Sequence, residues 1–448
     1  MKRRLLAFLL AATVPTLVMA DEPRMSDPDR NVYIPGAEDS EGVLRVAAVY
    51  NSDRIRIHYE YETHSPSWYH QYWRYEDGEW VRYGSGGPEP DEHGLYEDRI
   101  SMMLDDGSVD DFMRLGGWMT AHEGMRSLSS EVDHDDVREH PKLGEEMGRS
   151  DVRKYLPQTR ETDDSEDVSW DAIRDDDELE AMRENGEFLD LWQWRAHRSH
   201  PVGYADNGYV LHYRLASEGD SMFTTNWDDD ADQPAYMFDP DQVGAPALDW
   251  ERLVAGEYGQ NDPYFLSEDN SMAFDPDYDW QEGDTLPQRF LREPSGSRGA
   301  IEASGGYQDG AWRIALTRSL DAPDPRDSKA LEQGNTYNVA FAVHNGTGAR
   351  WHLVSLPMTL GLDDGEADIK AQYTDGHLDD ADLEWTEVPV FYPGQMTYQD
   401  LHGDTHGAGG PLVRDGDLGV LDAHDPEGLA DVIIEHELRQ LEDQGDTD

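Results

Sequence analysis

The chain contains no cysteine. That excludes disulfides, thiolate nucleophiles, Cys-ligated iron–sulfur clusters and thioether-attached haem together, and leaves His, Met, Lys, Tyr and carboxylates to hold any metal or cofactor. Positive charge is scarce as well: 36 Lys and Arg stand against 96 Asp and Glu in 448 residues, a formal charge of −60. Affinity for phosphate backbones comes mainly from cationic side chains that release counterions, so nucleic acid is excluded as a partner, and an anionic membrane surface would repel the chain. Only five cations are Lys (Lys2, Lys142, Lys154, Lys329, Lys370), against 31 Arg. The skew is that of a protein adapted to high salt, where such self-repulsion is screened over short distances. Apolar runs long enough to span a bilayer are missing too. The one substantial run, Leu5 to Val18, follows three cations in MKRRLLAFLLAATVPTLVMA and precedes small residues. This is the pattern of a cleaved secretory signal over residues 1–20, too short to be kept as an anchor. The expectation is a mature chain without a transmembrane segment, in the periplasm or outside the cell.

Low hydropathy with high net charge usually means disorder, but 13 Trp, 22 Tyr and 10 Phe supply large rigid side chains that disordered chains lack. The chain is therefore expected to fold. Val43 to Tyr61 alternates apolar and polar residues on both sides of an Asn-Ser-Asp turn, a β-hairpin signal, and similar short runs recur at Trp68–Tyr83, Gly208–Leu215, Gly310–Arg318, Thr336–His344 and Arg350–Leu360. Strands at this frequency predict a mainly β fold, an antiparallel β-sandwich or barrel. Residues 21–41 form a Pro- and Asp-rich linker. An acidic insertion is expected over about 127–186 as a surface feature with one or two short helices, the best from Trp170 to Glu184. The acidic segment Trp227–Asp284 is expected to wrap the sheet. An acidic extension, 363–448, carries Ala430, Ile434, Leu438 and Leu441 on one face of a short helix over about 427–441.

Three segments stand out: Gly116-Gly-Trp-Met-Thr-Ala-His122-Glu-Gly-Met125; Leu189-Asp-Leu-Trp192-Gln-Trp194-Arg195-Ala-His197, followed by Pro201-Val-Gly-Tyr-Ala-Asp206; and Arg350-Trp351-His352-Leu-Val-Ser355, continuing to Leu362. In this order they resemble the haem-binding domain of the ethylbenzene dehydrogenase family, the γ-type subunits of respiratory molybdenum enzymes and their stand-alone relatives, over about residues 42–362. The resemblance implies a sandwich similar to family 9 carbohydrate-binding modules, holding one haem in an apolar pocket and passing electrons. Some relatives carry two cysteines where Gly117 and Ala121 stand, so the resemblance implies a non-covalent haem b here. Relatives that bind haem b use a Met and a Lys as axial ligands, the Lys lying just before the Val-Ser; that position is His352. The resemblance thus implies His122 and His352 as iron ligands, with Met103, Met125 and Met237 as reserve thioethers and His197 as an alternative imidazole. It makes Trp192, Trp194 and Arg195 pocket contacts, Arg195 pairing with a propionate. Two protein ligands leave no open iron site, which suits electron transfer to a redox partner, such as a molybdopterin oxidoreductase complex or a membrane cytochrome.

Other readings of the same residues stay open. His122 is also an ordinary turn histidine beside Gly124, His352 a half-buried strand residue, and the tryptophans sandwich core. His197 and His200 have the spacing of a zinc pair on a helix but lack a third ligand. Asp275-Pro-Asp277-Tyr-Asp279 opens like an EF-hand loop, but Trp280 stands where Gly is required. His402 and His406 could take up a surface cation. The competing function is a haem-free β-sandwich module stacking its aromatic rings on sugars; no hydrolase motif is present.

Overall fold

The hairpin around Asn51-Ser52-Asp53 forms as its turn chemistry dictates. Strands β1 (Glu41–Tyr50) and β2 (Arg54–Glu62) pair antiparallel, and Asn51 Oδ1 accepts from the amides of Asp53 (3.0 Å) and Arg54 (2.9 Å). Such a side-chain turn is why Asn is favoured there. Period-2 alternation buries Ile55, Ile57, Tyr59 and Tyr61 and leaves Arg54, Arg56, His58 and Glu60 half-buried. The computed structural model describes residues 25–27, 32–36, 39–87, 89–161, 168–348, 351–363 and 365–402, with Ile434 and Leu438. The signal segment, most of the linker, His406 and the 427–441 helix lie outside the described residues, except that Ile434 and Leu438 are helical.

Ten further strands carry the main sheet: β3 (Arg99–Asp105), β4 (Leu189–Arg195), β5 (Tyr204–Val210), β6 (Ile301–Gln308), β7 (Ala311–Ser319), β8 (Thr336–His344), β9 (Leu353–Ser355), β10 (Met358–Leu362), β11 (Ile369–Tyr373) and β12 (Thr386–Phe391), with a thirteenth short strand, Arg214–Ala216, paired to β5. The ladder runs β1-β11-β10-β8-β3-β4-β5-β6-β7-β2 and returns to β1, so ten strands close on themselves. Strands β9 and β12 form a side path from β8 to β1. The chain is mainly β, as its patterning implied. The antiparallel-sandwich expectation does not describe the ladder, because β2 pairs with β7 along its whole length and leaves no edge there, and because β11 is parallel to both β10 and β1.

Inside the ring, Trp194 meets Trp312 with ring centroids 4.9 Å apart, and the Tyr59 hydroxyl reaches the Met102 sulfur at 3.6 Å. Arg318 of β7 crosses to Asp190 of β4 at 2.7 Å, both wholly buried, with the Arg318 guanidinium over Trp192. The insertion is not a loose surface loop. Val137, Leu143, Val152, Tyr155, Leu156, Leu179 and Met182 are buried in the same core, and the helix Asp176–Glu184 starts on an Asp175 cap that accepts from the Glu178 amide at 2.9 Å. The 227–284 segment likewise does more than wrap. Met237, Phe238, Trp250 and Tyr264 pack with Tyr72 and Leu286 into a second core beneath a four-stranded sheet. Among the described residues no helix is long and apolar enough to cross a membrane.

Candidate functional site

Strands β3 and β4 are buried at every residue. An antiparallel strand with one core face normally alternates, so a second face must also be covered. Ile100, Met102, Leu104, Trp192 and Trp194 belong to the ring core, and the opposite face of these strands floors a cavity of about 340 Å³.

The strand register sorts this floor into rows. Arg195, Arg99 and His344 lie side by side, then Gln193, Ser101 and Ala342, then Leu191, Met103 and Ala340. One end is cationic and the other apolar, about 13 Å apart at ~3.3 Å per strand residue. Gly117, Trp118, Ala121 and Met125 roof the cavity from the helical turn Gly116–Thr120 and the loop after it, with Val152 to Lys154 of the insertion. A Cβ placed on Gly117 would meet nothing within 4 Å, so this glycine leaves open space against the floor. His352 and Val354 complete one wall, and the His352 ring lies flat on that of His344, with centroids 4.5 Å apart and planes 9° off parallel.

Of the residues singled out in the sequence, Met103, Met125, Arg195 and His352 meet at this cavity. Of the other candidate ligands and contacts, His122, Trp192, Trp194, His197 and Met237 do not line it. His122 turns into the core, its ring stacked 4.0 Å from that of Tyr155 and its Nε2 donating to the Tyr155 carbonyl at 2.9 Å; burial pushes its pKa down to about 3. Trp192 and Trp194 fall on the wrong side of the period-2 alternation that places Leu191, Gln193 and Arg195 on the cavity. His197 leaves the strand beyond Arg195, with Nδ1 3.1 Å from the Trp68 carbonyl and its pKa pushed down to about 4 by burial. Met237 sits in the second core, its sulfur accepting from the Asp275 amide at 3.4 Å. His197 and His200 build no zinc site: no cluster of three potential metal ligands exists among the described residues. Asp275, Asp277 and Asp279 are not brought together as a calcium loop either; Asp275 Oδ1 accepts from the Asp277 amide at 3.0 Å.

The cavity's charge was not foreseen. Eight lining side chains are Arg or Lys and none is Asp or Glu. Behind them, Arg195 pairs with Asp206 at 2.7 Å, and Arg198 with Glu97. Burial would raise Glu97, but the Arg198 and Arg195 charges and the Arg198 amide hydrogen bond outweigh it and hold the carboxyl below its ordinary value. Burial pushes Arg99 down to about 10 and Arg214 to about 9. His344 also escaped the sequence reading, although strand alternation from Ala340 could have found it.

Fold and site together define a class: a mainly β ring with a covered cavity that joins thioether and imidazole groups, an apolar wall and a cationic end. A model of the ethylbenzene dehydrogenase family matches residues 15–355, and the chain belongs to that family. No curated protein matches it.

Proposed function

We propose that the protein is a secreted, periplasmic electron-transfer protein that holds one non-covalent haem b in this cavity. It would serve as subunit or carrier for a molybdenum-dependent oxidoreductase or a membrane cytochrome. The observation that carries the reading is the meeting of Met125 and His352, far apart in sequence, at one cavity with an apolar end, in a chain of this family. The donor chemistry fits: thioether and imidazole are ordinary haem ligands, and with no cysteine the attachment is non-covalent. Met125 takes the place first assigned to His122, whose ring is engaged by Tyr155.

Bound there, a haem would supply reversible one-electron transfer at its iron. The chain's own residues do the rest. His352 is steadied by its stack on His344, Leu191, Met103 and Ala340 keep water from one end, and Met125 and His352 would together hold the haem and leave no position for substrate. Trp192, Trp194 and Trp312 are buried, which removes them as a platform for sugars.

The test is the visible spectrum of protein purified at high salt, oxidised and reduced, with a pyridine haemochrome. A six-coordinate b-type spectrum near one haem per chain is expected. Met125→Leu and His352→Ala should each change it, and His122→Phe should leave it unchanged. A colourless protein that fails to take up haemin would overturn the reading.

A further inference from the structure

The cationic end of the cavity carries more charge than the protein neutralises. Arg99, Arg214 and Arg289 have no carboxylate within ion-pair distance among the described residues. Among the described residues their guanidinium groups hydrogen-bond only to neutral oxygens, those of Thr347, Gln193 and Gln71, and that of Arg99 also lies 5.2 Å from the Tyr96 ring centroid. The Nε atoms of Arg99 and Arg289 are buried without a hydrogen-bond partner among the described residues. His70 lies among these arginines and is 1% exposed. Its Nδ1 stands 3.5 Å from Glu97 Oε1, and its Nε2 has no partner among the described residues. All four side chains line the cavity.

Arg99 is buried and Arg214 and Arg289 are half-buried; charge withdrawn from water without a counter-charge is costly, and a chain with 96 acidic side chains had ample means to supply one. We propose that Arg99, Arg214, Arg289 and His70 form a seat for an oxyanion, a carboxylate or phosphate-like group. The planar guanidinium forks suit paired oxygens, and His70 adds a donor when its proton is on Nε2. Arg195, engaged by Asp206, is a supporting wall of the seat and not its main donor. The oxyanion has two sources: carboxylates borne by a ligand lying in the apolar half, or a free anion. The seat does not depend on the haem reading, because a free anion would fill it equally.

The experiment uses the full chain stripped of ligand, in KCl at constant ionic strength. Thermal melting is followed with and without pyrophosphate, and binding of haemin is compared with that of haemin dimethyl ester. If ligand carboxylates occupy the seat, the ester binds at least about tenfold more weakly than haemin. If a free oxyanion does, pyrophosphate raises the melting temperature; that shift without haemin uptake would sink the haem reading and leave the seat standing. Either response should be lost in Arg214→Gln/Arg289→Gln, or in His70→Gln if the double variant does not fold. Wild-type protein indifferent to both pyrophosphate and esterification, or folded variants responding as wild type does, would overturn the proposal.

Discussion

His122 and Met125 are three residues apart, and the turn between them decides what each can touch. The Met125 amide donates to the His122 carbonyl at 3.2 Å, and the turn sends the imidazole into the core while the thioether faces the cavity. A ligand histidine and a buried one have the same surroundings in sequence, so only the backbone conformation separates them. Gly117 offers a residue-scale test, because any cysteine placed there would be the chain's sole thiol. Gly117→Cys should fold normally, since its Cβ enters open space, and should be alkylated by a maleimide. Bound haemin should slow that alkylation at least about tenfold if it shares the cavity. Equal rates with and without haemin would place the ligand elsewhere.

Among the elements, the hairpins were legible from local chemistry. Asn51 announces the β1–β2 turn by capping its own backbone, and Asp309-Gly310 joins β6 to β7 with both residues at positive φ, the conformation a two-residue hairpin turn demands. The site was partly legible, since Met125 and His352 lie in recognisable segments. The cationic half was not: His70, Arg99, Arg214 and Arg289 come from four separate stretches and carry no spacing signal. Nor could the lining face of β4 be read, because a strand buried on both faces shows no alternation. The Asp190–Arg318 pair was equally hidden, since it joins strands separated by two others in the ring. Asp190→Ala should cost about 3–5 kcal/mol, because it leaves a buried guanidinium uncompensated. Urea unfolding would measure this; a loss below about 1 kcal/mol would show that Arg318 reaches water or another partner.

For the molecule as a whole, burial holds His122 and His212 at about 3 and His197 and His200 at about 4. Each stays neutral in the fold and binds a proton on unfolding at pH values below its ordinary 6.5. Their stabilisation is intact above that value and is lost as pH falls through 6.5 towards 4 and then 3, by about 1.4 kcal/mol per pKa unit for each group. At fixed high salt, the urea midpoint should therefore be lower at about pH 5 than at about pH 7.5. An unchanged midpoint would mean that these rings are already charged or exposed in the fold.

The cationic cavity lies inside a chain of charge −60. An approaching anion meets repulsion before it meets attraction, so how fast it enters and how firmly it is held answer to salt in opposite ways. Salt thins the outer repulsion, whose reach shrinks from about 10 Å at 0.1 M to about 3 Å at 1 M, while buried partners are screened far less. Loading should accelerate in brine with little loss of grip. The acidic exterior would then act as an electrostatic barrier to entry, high in dilute solution and lowered as salt is added.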